Sequence, residues 1–204
     1  MRTLLLFLPA LMLLGQTTHK PAPAKPAANF KESGSPTAPI TLELYTDYQC
    51  PSCRAFYMDI LPQVISQYVA TGKVRLVHRD FPLPMHQYTR TATKYANAAG
   101  QLGLYDVVAA QIFKTQQEWD QNGNIDAEVA KVVPPAEMQK IRDLVKNDTH
   151  LDDTVTSDMA LGGRDGLNQT PTLVIVKNGK RQKIDGMVPF NILKSYLDQL
   201  LAKG

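Results

Sequence analysis

In this chain of 204 residues, the side chains best suited to chemistry are the two cysteines, Cys50 and Cys53, with Pro51 and Ser52 between them. Two thiols this close in sequence close a very small loop when oxidised. The entropic gain from a cross-link grows with loop length, so the bridge is a poor staple and a better redox switch. The thiolate is the nucleophile in disulfide exchange, and a sulfur placed where a helix begins is favoured as the anion by the unpaired N–H groups and macrodipole there. Cys50 is then the residue that forms a mixed disulfide with a substrate, and Cys53, one turn inside, the one that resolves it. A helix terminus contributes at most about 2 kcal/mol and one pKa unit is about 1.4 kcal/mol. Alone it therefore lowers the thiol by roughly one unit, and a larger shift needs another donor or cation. Pro51 and Ser52, which tune the pair, bring a hydroxyl and no charge. Two simpler readings compete: a structural bridge, and half of a zinc site. The second needs four ligands, yet there is no second cysteine pair and His78, His86 and His150 would have to converge on this one. No metal is expected.

The elements that must position this pair follow from patterning. Residues 40–47 alternate apolar and polar positions as a β-strand that runs straight into the cysteines. From Arg54 to Ala70 the spacing is helical, ended by Gly72, with Pro62 expected to kink it. A second strand over 73–80 completes a β-α-β unit, which predicts parallel pairing. The next strand begins only at Thr172. A crossover needs about a dozen residues, so a helical insertion is expected at about 84–166, with helices near 86–99, 104–119, 135–146 and 152–161 and with Gly100, Gly103, Gly162, Gly163 and Gly166 as stops. Asn178-Gly179 predicts a hairpin between strands at 172–176 and 180–184. Pro189 opens a last amphipathic helix. The fold class is α/β.

Around this unit the composition changes. Leu4 to Leu14 is an unbroken apolar run behind one positive charge, which reads as a signal peptide over residues 1–15; it is shorter than the roughly 20 residues of a membrane span. Residues 16–38 are Pro/Ala-rich and read as an extended linker, leaving 39–204 as one domain. An uncleaved signal would serve as a membrane tether. The formal charge of +3, with both signs interspersed, gives no basic run of the kind that binds nucleic acid. Localisation is expected to be periplasmic or otherwise extracytoplasmic.

Several separate segments resemble the DsbA-type branch of the thioredoxin superfamily. Tyr45-Thr46-Asp47-Tyr48-Gln49-Cys50-Pro51-Ser52-Cys53 is similar to its active-site segment; Leu61-Pro62, Gly72-Lys73-Val74 and Arg79-Asp80-Phe81-Pro82-Leu83 to its first helix end and second strand. Pro84-Met85-His86 resembles the start of its helical insertion, and Gly166 to Thr172 followed by Asn178-Gly179 its cis-proline loop and hairpin. The resemblance implies a thioredoxin fold with a helical domain inserted between the second strand and that loop. It also implies a cis Thr170–Pro171 peptide packed on the cysteines, where it keeps Cys50 free of metal and pairs with an incoming substrate chain. Read without the resemblance, Pro171 is as well an ordinary trans turn proline. The activity implied is a dithiol oxidant of reduced or unfolded exported proteins, needing no dissociable cofactor beyond the Cys50–Cys53 disulfide and reoxidised by a quinone-linked membrane thiol oxidase. A disulfide reductase and an anchored binding module with a shut disulfide are the alternatives. One position departs from the pattern. The family often has a buried acid six residues before the first cysteine, and here that residue is Leu44; Glu43 falls on the opposite strand face and is given no catalytic role. Asp47 is expected to cap the helix.

Overall fold

The structure, a computed structural model, describes residues 30–203. The signal-peptide segment and most of the linker lie outside the described residues. The fold nevertheless reaches back into the segment read as linker. A short strand, β1 (Glu32–Ser33), pairs antiparallel with residues 76–77. The charges just inside the Pro/Ala-rich stretch find distant partners: Glu32 meets Arg75 at 2.5 Å, and Lys31 lies between Asp80 and Asp158. Composition alone does not carry those pairings.

β2 (Ile40–Thr46) and β3 (Val74–Asp80) are parallel, as the β-α-β reading requires, with Leu44 opposite His78. Between them runs one helix, α1, over residues 51–69. It starts at Pro51, whose missing N–H costs nothing in a first turn, so Cys53 lies one turn inside it, as expected. Pro62 does not break it. Just upstream the helix widens to π geometry over Phe56–Ile60, with Leu61 N–H donating to the Phe56 carbonyl. The wider turn accommodates the residue that cannot donate to the fourth carbonyl before it. A second π turn spans Ile65–Val69.

The predicted insertion holds α2 (Thr89–Gln101), α3 (Tyr105–Lys114), α4 (Gln116–Trp119), α5 (Ile125–Val129), α6 (Pro135–Asn147) and α7 (His150–Arg164). The short α5 carries too few turns to show a period, and the sequence reading missed it. Gly162 and Gly163, expected to stop a helix, lie inside α7 instead. A Cβ on Gly162 would come within 2.8 Å of the Phe81 ring and 3.2 Å of the Tyr45 ring, so this glycine allows the helix to approach the sheet. Gly166, with φ +68°, follows the helix end. After it come β4 (Thr172–Lys177), β5 (Lys180–Asp185) and α8 (Phe190–Ala202). The hairpin turns at Asn178 and Gly179, both with positive φ, the geometry an Asn-Gly pair favours.

The sheet order is β1-β3-β2-β4-β5, with β4 antiparallel to both β2 and β5. One face carries Ile40, Leu42, Leu44, Leu76 and Leu173 against Phe56, Ile60 and Val64 of α1 and Leu193 and Leu197 of α8. The other carries Tyr45 and Val174 against Phe81 and Leu167, with α7 beyond them. The insertion has its own core around Trp119, Ile112 and Phe113, and that core also includes Tyr48, Cys50 and Cys53. Among the described residues no helix is long and apolar enough to cross a membrane.

Candidate active site

β2 ends at Thr46, and the chain turns through Asp47, Tyr48 and Gln49 before α1 begins. Cys50 is the residue before the first helical position, with extended backbone, and its carbonyl accepts from Arg54 N–H at 3.1 Å. The sulfur therefore sits at a helix N-terminus, where unpaired N–H groups favour an anion. Cys50 keeps 7% of its surface exposed and Cys53 none; Pro51 and Ser52 between them face solvent. Both cysteines are unbridged thiols.

The two sulfurs are driven apart in acidity. Cys50 is lowered from 9.0 to about 5, first by the hydrogen bond that the Cys53 thiol donates to it, with the main-chain N–H groups of Cys53 and Ser52 adding to the effect; burial opposes this. The helix terminus by itself accounts for about one unit, and the larger fall comes from a donor the sequence reading did not count, the partner thiol. Cys53 is pushed well above its ordinary value, by burial first and then by the proton it shares with Cys50. One sulfur is thus held as an anion and the other keeps its proton.

Thr170 and Pro171 arrive from the far side. Their peptide is cis, and the Thr170 carbonyl oxygen lies 3.3 Å from Cys50 Sγ, accepting from it when the thiol is protonated. The Pro171 carbonyl accepts from Gly186 N–H at 2.9 Å. The structure brings together all six residues singled out in the sequence: Cys50, Pro51, Ser52, Cys53, Thr170 and Pro171.

It also shows residues that were missed. Asp47 was expected to cap α1, but its side chain makes no cap bond. Its Oδ1 accepts from Gln49 N–H at 2.7 Å, and its Oδ2 accepts from Leu83 N–H at 2.7 Å and lies 2.8 Å from His86 Nδ1. Its main chain touches both cysteines: its carbonyl accepts from Cys50 N–H at 3.1 Å, and its N–H donates to Cys53 Sγ at 3.4 Å. From the insertion, buried Gln116 donates to the carbonyls of Tyr48, at 2.6 Å, and Cys50, at 3.1 Å. Gln49 reaches back to Asp120 O at 3.0 Å and accepts from Tyr88 N–H. Apart from the contacts of Asp47 with Gln49 and the cysteines, their partners lie 36 to 71 residues away, so local pattern gives no signal for them beyond the polar residues flanking the cysteines.

Glu43 is not beneath the cysteines. It binds Arg79 at 3.0 Å and Arg181 at 2.6 Å on the opposite face of β2, as strand alternation requires. Leu44 is fully buried in the core shared with α1. The histidines are separately engaged: His86 on Asp47, exposed His150 on Asp153, and His78 between the rings of Tyr57 and Tyr105. Burial lowers His78 to about 4, with Lys31 adding to the effect.

Comparison with known proteins places this geometry in context. A family model described as thioredoxin matches residues 31–199. A probable disulfide bond formation protein D of Bacillus cereus is 35% identical over 49 residues, 24% of this chain and 23% of that protein, so the aligned segment spans about a quarter of the relative. Among solved structures, alpha-DsbA1 of Wolbachia pipientis superposes with a TM-score of 0.72 at 21% identity, covering 85% of this chain and 91% of that one. BdbD of Bacillus subtilis, in its oxidised form, gives 0.69 at 23% identity over 85% and 93% of the two chains. At such identities the likeness concerns the fold.

Proposed function

The chain belongs to the thioredoxin family, and from that premise we propose that it is a thiol–disulfide oxidoreductase working as a dithiol oxidant of exported proteins. One observation carries the reading: Cys50 is held as an anion, at about 5, where a helix begins, with a protonated thiol and the cis Thr170–Pro171 loop beside it. Stabilising that thiolate stabilises the reduced protein, which makes the disulfide the stronger oxidant.

In the oxidising direction a substrate thiolate attacks Cys50 Sγ, the Cys50–Cys53 bond breaks and Cys53 leaves as the anion. A second substrate thiolate then attacks the substrate sulfur of the mixed disulfide, and Cys50 leaves in turn. The substrate gains a disulfide and the protein receives two electrons. Thr170, beside Cys50, offers main-chain groups on which an extended substrate segment pairs. The Cys50–Cys53 disulfide is the redox group, without a dissociable cofactor. A membrane thiol oxidase linked to quinone would restore it, and the apolar N-terminal segment supports an extracytoplasmic, periplasmic setting with the chain exported or tethered.

A glutathione-buffered redox titration of Cys50 and Cys53, together with oxidation of a reduced, unfolded protein and reduction of insulin, tests this. A potential near those of strong oxidants, about −120 mV, with substrate oxidation supports the proposal; a potential near about −270 mV with insulin reduction makes the protein a reductase. A disulfide inert in both assays makes it a binding module. Cys53→Ser should trap mixed disulfides through Cys50, and Cys50→Ser should abolish them.

A further inference from the structure

Opening the disulfide leaves an electron pair on Cys53, a sulfur with no solvent exposure. Water cannot reach that anion, and burial already disfavours it. The rate of exchange depends on how well the leaving sulfur bears its charge. The side chains that would ordinarily help are elsewhere: Leu44 faces the α1 core, and Glu43 is occupied by two arginines on the other face of the sheet. The donor in place on Cys53 Sγ is the Asp47 main-chain N–H at 3.4 Å. Its residue is anchored by its own carboxylate, 1% exposed and gripped by Gln49 N–H, Leu83 N–H and the His86 ring. A main-chain dipole held this way acts as a preorganised donor toward developing charge, without reorganising as the charge appears.

We infer that the Asp47 N–H stabilises the leaving thiolate of Cys53, and that the Asp47 carboxylate, with His86 behind it, is the positioning group that aims this N–H. The inference rests on the oxidoreductase reading above. A substrate thiolate forms its bond to Cys50 Sγ, the Cys50–Cys53 bond breaks, and the bonding pair moves to Cys53 Sγ onto the Asp47 N–H; no proton moves in that step. Once the second substrate thiolate has released Cys50 as an anion, Cys53 takes up one of the two substrate protons and the other goes to solvent.

The test compares the full chain with its Asp47→Ala, Asp47→Asn and His86→Leu variants, each oxidised and then reduced by dithiothreitol under pseudo-first-order conditions. Asp47→Ala should slow the reduction about tenfold; Asp47→Asn, which keeps one acceptor, and His86→Leu, which removes one donor, about threefold each. Iodoacetamide alkylation of Cys50 in the reduced variants should stay within about twofold of the parent, because the donors to Cys50 are other groups. A variant that only loosened the fold would slow both reactions and lower the melting temperature. If Asp47→Ala does not fold, the other two variants decide the matter. Reduction at the parental rate in the folded variants, or a parallel loss of Cys50 alkylation, overturns the inference. If the parent fails to oxidise a reduced protein, the oxidoreductase reading falls, whereas the dithiothreitol comparison is unaffected.

Discussion

At the scale of single residues, the Cys50–Cys53 pair gives predictions with a defined sign. Cys50 titrates at about 5 in the folded, reduced protein against 9.0 as its ordinary value. Its alkylation rate should therefore rise with a half-point near pH 5 and level off before pH 7, as iodoacetamide kinetics would show; a half-point above pH 8 would remove the basis for its nucleophilic role. A lowered acid contributes stability that is complete above the unfolded value and is lost as pH falls through the folded one. The melting temperature of the reduced form, relative to the oxidised form, should accordingly climb from about pH 5 toward pH 9. Above that the raised Cys53 works the other way, because the unfolded chain releases a proton that the folded one keeps. Ser52 is exposed and uncharged, so Ser52→His adds a donor or cation beside the Cys50 anion. The reduction potential should rise, read against glutathione; an unchanged or lower value would mean that the charge between the cysteines does not tune the pair. The cysteines were legible in the sequence because their chemistry is local. Asp47 was not, since the groups that give it a role, Leu83 and His86, come from the segment that follows β3.

Elements were legible wherever period and punctuation agreed. The two parallel strands, the Asn178-Gly179 hairpin and the insertion helices other than α5 follow from pattern, with α3 and α4 read as one helix that the structure breaks at Thr115, whereas α5, the π turns in α1 and the true end of α7 depend on tertiary contact. Gly162 shows why. As a residue type it reads as a helix stop, yet its place in α7 is fixed by the rings of Phe81 and Tyr45 against it. Gly162→Ala should destabilise the protein by about 1–3 kcal/mol through overpacking, although alanine is the better helix former by about 1 kcal/mol. Urea denaturation measures the outcome, and a stabilised variant would mean that α7 can retreat from the sheet. Gln116 belongs to the same scale, since it is how the insertion holds the redox turn. Gln116→Leu deprives the Tyr48 and Cys50 carbonyls of a buried donor, at a cost of about 1–3 kcal/mol. It should also move the reduction potential, because the Cys50 main chain is no longer fixed from the insertion side. A loss of stability with an unmoved potential would make Gln116 a packing residue alone.

For the molecule as a whole, the question is what joins the N-terminal strand, the sheet and the end of the insertion around this site. Two hydrophobic clusters lie on the two faces of the sheet and a third fills the insertion, and a chain of ion pairs, buried at Asp80, Asp158 and Glu43 and reaching the surface at Arg181, links their elements. Asp158 of α7, 4% exposed, accepts from Lys31 at 3.1 Å, from Arg79 at 2.9 Å and from Asp80 N–H at 3.0 Å; Arg79 continues to Glu43, Glu43 to Arg181, and Arg181 to Asp165. Nothing in the spacing of these residues along the chain announces the network, because each partner comes from a different element. Buried ion pairs add little net stability over apolar packing, but removing one partner leaves charge without compensation, which costs about 3–5 kcal/mol. Lys31 retains Asp80 and Arg79 retains Glu43 when Asp158 is lost, so Asp158→Ala should fall at the lower end of that range. Urea unfolding of the oxidised protein would register it. A change below about 1 kcal/mol would class these pairs with exposed surface bridges and leave the hydrophobic clusters to hold β1 and α7 on the sheet by themselves.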